Sequence, residues 1–392
     1  MTVFDFDREI DRRAVPALKH HPAVLGAGAG TPFAAGVADM DFAVAPCVQA
    51  ALARRLAHPV FGYEALPEAL IAALIDWQRA RHGWAVAADW VLRGPNVLNA
   101  LSMAVCRFTD PGDGVIVQPP VFFDFFDIVG ENGRRIVENP LIRGEDGRYA
   151  MDFDDLAAKA ADPATRLLIL CNPHNPIGQV WAPACLRRLG DICARHGVLV
   201  LSDEIHADLA LPGHRHTPFA AAAPGHAANS VTCVSPAKSF NIAACAAAFT
   251  IVPDPGRRAA LAAENSRLTV NKNNAFANVA MAAAWREGAA WLDAAIAYIA
   301  ANAALYVDRL DRLPGVTARR PEAGFLVWTD FRARDLAPDA LKPFLRDRAG
   351  WAVTSGAAFG TGGAGFVRVN IATPRPRLLR ALDALERALA NR

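Results

Sequence analysis

The chain reads as a two-domain α/β protein, on three observations. Residues 166–171 (Arg-Leu-Leu-Ile-Leu-Cys) and 198–201 (Val-Leu-Val-Leu) are apolar runs separated by a stretch of helical period over 184–196. That is the order of a βαβ unit, whose parallel strands are buried on both faces. The length of 392 residues exceeds the size at which one core keeps growing and favours one large and one smaller domain. An apolar content of 53% against 20% charged residues supplies a large core. The partition expected is 1–48 as an N-terminal segment of the small domain, 49–279 as the large domain and 280–392 as the small C-terminal domain.

Composition also excludes partners. A net charge of +2 gives no reason to expect nucleic acid or an anionic membrane, and no apolar run reads as long enough for a membrane span. The start, Met-Thr-Val-Phe-Asp-Phe-Asp-Arg-Glu-Ile, lacks a basic-then-apolar signal pattern, so the cytoplasm is the expected compartment. The seven cysteines form no Cys-x-x-Cys and read as reduced core residues, with no zinc or other metal framework.

Taken in order, the glycine run at 26–30 is followed by Thr31-Pro32, not by a helix, which excludes a dinucleotide fingerprint. Residues 36–42 (Gly-Val-Ala-Asp-Met-Asp-Phe) read as a loop whose acids either cap it or face a substrate. Helices follow at about 46–57 and 67–82, with Phe61-Gly62-Tyr63 displaying a tyrosine beside a sharp turn. Residues 91–108 read as strand, tight turn and helix; a helix start suits a phosphate, though an ordinary βα turn reads the same way. Residues 115–118 form a short strand ending in the aromatic cluster 119–126, which is either core or a ring that stacks on a planar ligand. Beyond 251–256, helices are expected at 257–264, 278–310 and 377–391, with strands at 325–328 and 366–370. The glycines of 360–365 lead into a strand and read as a mobile loop.

Polar residues fall at the C-terminal ends of successive strands: Asn175, Asp203, and Ser235 with Lys238. Open α/β sheets bind ligands at that edge. Lys238 lies in Ser-Pro-Ala-Lys-Ser-Phe-Asn, followed by small apolar residues that weaken hydration of its ammonium and free the amine for imine chemistry. An isolated Ser-x-x-Lys would more simply be a solvent-facing lysine at a helix start. A planar cofactor with an aldehyde, a ring nitrogen, a phenolate and a phosphate would use the whole strand-end set.

Asn-Pro-His-Asn-Pro-x-Gly at 172–178, Ser-Asp-Glu-Ile-His at 202–206 and Ser-Pro-x-Lys-x-Phe-Asn at 235–241 resemble the motifs of pyridoxal-phosphate enzymes of the aspartate aminotransferase fold (class I/II). Residues 37–42, Phe61-Gly62-Tyr63 and Phe-Val-Arg-Val-Asn-Ile-Ala at 366–372 resemble, more closely, the MalY/PatB-type cystathionine β-lyases. The similarity runs over nearly the whole chain. It implies fold type I, with a mostly parallel seven-stranded-type sheet and a smaller α/β C-terminal domain.

The resemblance further implies that Lys238 holds pyridoxal 5'-phosphate and Asp203 pairs with its ring nitrogen. Asn175 and His206 would lie near the phenolate oxygen, and Phe122 would stack on the ring where relatives usually have tyrosine. Ser235 and the amides of Val97 and Leu98 would hold the phosphate, joined by Tyr63 from the second subunit of a homodimer. Asn96, Ala237 and Ala246 depart from the family's phosphate set. Arg368 would bind the substrate's α-carboxylate, and Asp41 would face the substrate. The resemblance implies C–S β-elimination from cystathionine or a related cysteine conjugate, with aminotransfer as the alternative and a non-catalytic cofactor-binding regulator as a third reading.

Overall fold

The computed structural model describes residues 4–26, 32–334 and 336–390. The glycine run at 26–30 lies, apart from Gly26, outside the described residues, as do residues 1–3 of the acidic start and Asn391 of the expected closing helix.

Two helices, α1 (Pro46–Ala57) and α2 (Glu68–Trp77), precede the large sheet. The sheet and its first crossovers are β1 (Val91–Gly94), α3 (Val97–Phe108), β2 (Gly114–Val117), α4 (Asp124–Glu131), β3 (Arg135–Glu138), α5 (Phe153–Ala160) and β4 (Thr165–Cys171). They continue as α6 (Pro183–Arg195), β5 (Leu199–Asp203), β6 (Ser230–Val234) and β7 (Ala248–Ile251). The seven strands lie in the order β1-β7-β6-β5-β4-β2-β3. Only β7 runs antiparallel to its neighbours.

Alternation along the strands builds two cores. Leu167, Ile169, Leu199 and Leu201 pack with α3 and α4, whereas Leu168, Leu170 and Val200 pack with α5 and α6. Both faces are covered, which is why these strands read as unbroken apolar runs.

The remaining elements are α7 (Pro255–Arg267), α8 (Ala275–Glu287), α9 (Ala289–Leu310), α10 (Pro338–Ala349) and α11 (Arg375–Ala390). A second sheet of four antiparallel strands contains Thr317–Ala318, Leu326–Asp330, Phe366–Asn370 and Thr354–Ser355, in that spatial order. The N-terminal segment joins this part of the chain, since Phe33–Ala34 pairs in parallel with Trp351–Ala352.

Three expectations need correction. The single helix over 278–310 is two helices, α8 and α9, separated at Gly288. A Cβ at Gly288 would lie 2.5 Å from both the Ala284 carbonyl oxygen and the Phe240 ring, so the break is where this helix pair meets the lysine motif. The expected domain boundary at 279/280 falls inside α8, whose alanine-rich face packs on α1 and α2. Finally, α9 is long and apolar enough to span a membrane by length and composition, contrary to the reading of its sequence. Its apolarity serves the core: Leu292, Ile299, Tyr306 and Leu310 are fully buried, and the Tyr306 hydroxyl is hydrogen-bonded to Thr329 of the second sheet at 2.9 Å.

The glycine stretch 360–365 leads into the strand Phe366–Asn370, and within it Gly363 N–H donates to the Gly360 carbonyl at 3.1 Å. Gly288→Ala provides a test of the helix break. Relief of the glycine helix penalty is worth ~1 kcal/mol, but the overlap with Phe240 and Ala284 costs about 1–3 kcal/mol. The variant is expected to be less stable in urea unfolding.

Candidate active site

Four parallel strands aim their C-terminal ends at one cavity of about 190 Å³. The register sets Cys171 of β4 beside Asp203 of β5, and Asp203 beside Cys233 of β6. The chain leaving each strand therefore starts at the same edge. The cavity is lined by Asn175, Asp203, His206, Ser235 and Lys238, with Phe122, Val97 and Leu98 opposite. The structure thus gathers nine of the eleven expected site residues, Arg368 among them through its contact with Asn175. Tyr63 is fully exposed on this chain and does not line the cavity.

Asp41 is a correction. It is buried, and its carboxylate accepts from Lys19 Nζ at 3.0 Å and Arg12 Nη1 at 3.1 Å, with Arg377 at 3.6 Å. Three cations around one buried carboxylate leave it no substrate to recognise. Burial alone would raise its pKa, and Lys19 with its other neighbours holds it below the usual carboxylate range. Asp41 instead anchors the segment that crosses the cavity.

That segment, residues 36–42, is gripped carbonyl by carbonyl. Arg368 Nη2 donates to Gly36 O at 2.9 Å, Lys238 Nζ to Ala38 O at 2.7 Å, and Asn370 Nδ2 to Val37 O and Asp39 O at 2.7 and 2.6 Å. Asn241, held at a φ of 56°, donates to Met40 O and Phe42 O and accepts from Met40 N–H. These backbone roles were missed in the sequence, since a carbonyl carries no residue signature. Asn241 was visible as the polar residue closing the lysine motif, but its role was not. Cys171, also in the lining, follows from its register with Asp203, and Ile205 lines the cavity just beyond the end of β5.

The site's charges are set by burial. Lys238 is half-buried, and loss of hydration together with the nearby Arg368 lowers its ammonium pKa, so the amine is more easily freed. The Asp203 carboxylate receives one hydrogen bond among the described residues, from Ile205 N–H to Oδ1 at 3.1 Å, and burial pushes its pKa up to about 7. His206 is driven down to about 3 by burial and then by Lys238 and Arg368, which makes it a neutral imidazole. Its Nδ1 is buried without a hydrogen-bond partner among the described residues.

Arg368 is buried, sits over the Phe359 ring at 5.0 Å, and donates Nη1 to Asn175 Oδ1 at 3.0 Å. Its Nε has no hydrogen-bond partner among the described residues. Burial lowers its pKa to about 10, so it stays a cation at neutral pH with a donor to spare for a carboxylate. At the far end of the cavity, Asn96 caps α3 by accepting from Asn99 N–H at 2.8 Å. The N–H groups of Val97 and Leu98 then begin the helix with no intrahelical acceptor. Ser235 Oγ donates to Ala247 O at 2.7 Å and accepts from Ala237 N–H at 3.2 Å.

The chain belongs to the aminotransferase class I and II family, whose model matches residues 33–385. Within it, the chain is 41% identical over 389 residues to the cystathionine beta-lyase PatB of Bacillus subtilis strain 168, covering 98% of this chain and 100% of PatB. It is 32% identical to the protein MalY of Escherichia coli strain K12, over 99% of both chains. Its structure matches that of cystalysin from Treponema denticola, which contains a pyridoxal 5'-phosphate cofactor, with a TM-score of 0.96 and 31% identity over the full length of both chains.

The residues present fit such a group. Asp203 has an acceptor that burial has discharged and that a cationic ring nitrogen would recharge. His206 has an orphaned nitrogen, and Lys238 an amine primed toward its neutral form. Asp203→Asn separates these effects. A carboxyl whose folded pKa of about 7 exceeds its unfolded value costs stability as pH rises through the window from about 4 to 7. In cofactor-free protein the variant is expected to be more stable than the parent at pH 8, with little difference at pH 4, in urea titrations. Its affinity for pyridoxal 5'-phosphate is expected to fall at least tenfold in equilibrium dialysis.

Proposed function

We propose that the protein is a pyridoxal-phosphate-dependent C–S β-lyase acting on L-cystathionine or a related L-cysteine S-conjugate, yielding pyruvate, ammonia and a thiol. One observation carries this reading. The cavity joins Lys238, whose ammonium form is weakened by burial, with the buried Asp203 carboxylate, and the Arg368 guanidinium is bonded to its lining residue Asn175, in a chain 41% identical to a cystathionine beta-lyase over nearly its full length.

The bound cofactor supplies an electron-poor ring that stabilises negative charge at the substrate's Cα. Lys238 would hold the cofactor, and Asp203 would keep its ring nitrogen protonated. Asn175 and neutral His206 would face the phenolate oxygen, and Phe122 would lie on the ring. The α3 N-terminus and Ser235 would take the phosphate. Arg368 would receive the substrate's α-carboxylate, and this fixes the Cα–H bond relative to Lys238. The free Lys238 amine would then remove the Cα proton as general base, and the electron pair left on Cα would expel the thiolate from Cβ.

The proposal extends to assembly and compartment. Leu56, Val60, Phe61 and Tyr63 are exposed, an apolar edge suited to a second copy, with Tyr63 then reaching the partner's phosphate site in a homodimer. Seven free cysteines suit a reducing compartment such as the cytoplasm.

Incubation with L-cystathionine is expected to release thiol and pyruvate with no keto-acid acceptor. Conversion that requires 2-oxoglutarate and frees no thiol would establish aminotransfer instead, and bound cofactor with neither reaction would establish a regulator. Arg368→Ala is expected to lower kcat/KM by roughly 10- to 100-fold, the worth of a charge-assisted hydrogen-bond pair. Lys238→Ala should abolish turnover and leave no residue for borohydride to join to the cofactor.

A further inference from the structure

Behind the cavity, on the opposite side of the same strand ends, lies a closed set of buried polar groups that the proposed reaction does not use. Strand alternation turns Asp203 toward the cavity and Glu204 away from it. Glu204 accepts three hydrogen bonds: from Ser202 Oγ at 2.8 Å, Phe219 N–H at 2.8 Å and His216 Nε2 at 2.9 Å. Asp208 accepts three more: from Trp77 Nε1 at 2.8 Å, His82 Nε2 at 2.8 Å and Ser239 Oγ at 3.0 Å. The two sets touch, with the His82 and His216 rings 5.2 Å apart, edge to face. Every carboxylate, imidazole and hydroxyl named is buried.

The two ends of this set are adjacent in sequence to the two reactive groups, Glu204 to Asp203 and Ser239 to Lys238. A buried carboxylate facing three donors is strongly fixed, because moving it strands several polar groups at once. We propose that Glu204 and Asp208 are positioning residues: Glu204 fixes Asp203, Asp208 fixes Lys238 through Ser239, and the His82–His216 contact joins the two into one rear support. Arg368 is held by Asn175 and Gly36, outside this set, so substrate carboxylate binding stands apart from it. The inference rests on the assignment of Lys238 and Asp203 above, but not on the identity of the substrate.

The test begins with cofactor-free protein. Formaldehyde and cyanoborohydride methylate neutral lysine amines, and peptide mass spectrometry reads the rate at Lys238 against exposed Lys342. In the parent protein at neutral pH, Lys238 is expected to react faster than Lys342. In Ser239→Ala and in Asp208→Asn, a lysine no longer held in its desolvated place regains hydration, and its methylation is expected to slow about tenfold. The double variant is expected to be no slower than the slower single variant, since both changes cut one connection. In holoenzyme, the same variants are expected to lose about tenfold in kcat with KM within about twofold. Glu204→Gln should raise the cofactor's dissociation constant about tenfold.

A parent Lys238 no faster than Lys342 would overturn the assignment of the lysine, and the support with it. A fast Lys238 whose rate is unchanged in Ser239→Ala and Asp208→Asn would overturn the support alone. Ser239→Ala removes only one hydroxyl, so it keeps the test decisive even where Asp208→Asn fails to fold. A loss of thermal stability in either variant with parental kcat per folded site would reduce the role to structure and overturn the proposal.

Discussion

Seven residues of backbone, 36–42, hold the site together. Their carbonyls receive the Lys238 amine, the Arg368 guanidinium and the amides of Asn241 and Asn370. Lys238 comes from the large sheet's edge and Arg368 from the second sheet, so this single strap fixes the spacing between a proton-transferring amine and a carboxylate-binding cation. A buried carbonyl is an obligatory acceptor, and satisfying it with a functional side chain costs that side chain no desolvation it would not otherwise bear. The strap is itself pinned from outside by the ion cluster of Asp39 and Asp41 with Arg12 and Lys19.

Electrostatics in the cavity follow from how few counter-charges it contains. Asp203, His206 and Lys238 are each displaced by burial toward their neutral forms, and a zwitterionic ligand would restore charge partners to them. The same groups that would bind the cofactor are therefore costly to the fold without it. Stability and function therefore compete at Asp203.

Much of this was legible in sequence because the chemistry sits at strand ends. Unbroken apolar runs marked β4 and β5, and polar residues shortly after each run, Asn175 and Asp203, marked the cavity edge. What escaped has a common cause. Asp41 looked like a substrate-facing acid because its cations, Arg12, Lys19 and Arg377, arrive from distant positions. The break at Gly288 was hidden by an alanine-rich pattern that continues in phase on both sides of it. The grip on residues 36–42 uses backbone atoms, which no residue type announces. His82, Asp208 and His216 look unremarkable singly, and only the fold brings them together.

The pairing of Phe33–Ala34 with Trp351–Ala352, reinforced by Thr354 on Gly36 across 318 residues of chain, bears on biogenesis. The strap's attachment on the second sheet is synthesised 318 residues after the strap itself. During translation the large sheet can assemble from contiguous βα units, but residues 33–42 must wait, with their carbonyls open to water, until the second sheet leaves the ribosome. The lysine and the arginine are brought to working distance only once the second sheet has been made, so a chain stopped before it would have a sheet and a lysine but no assembled site.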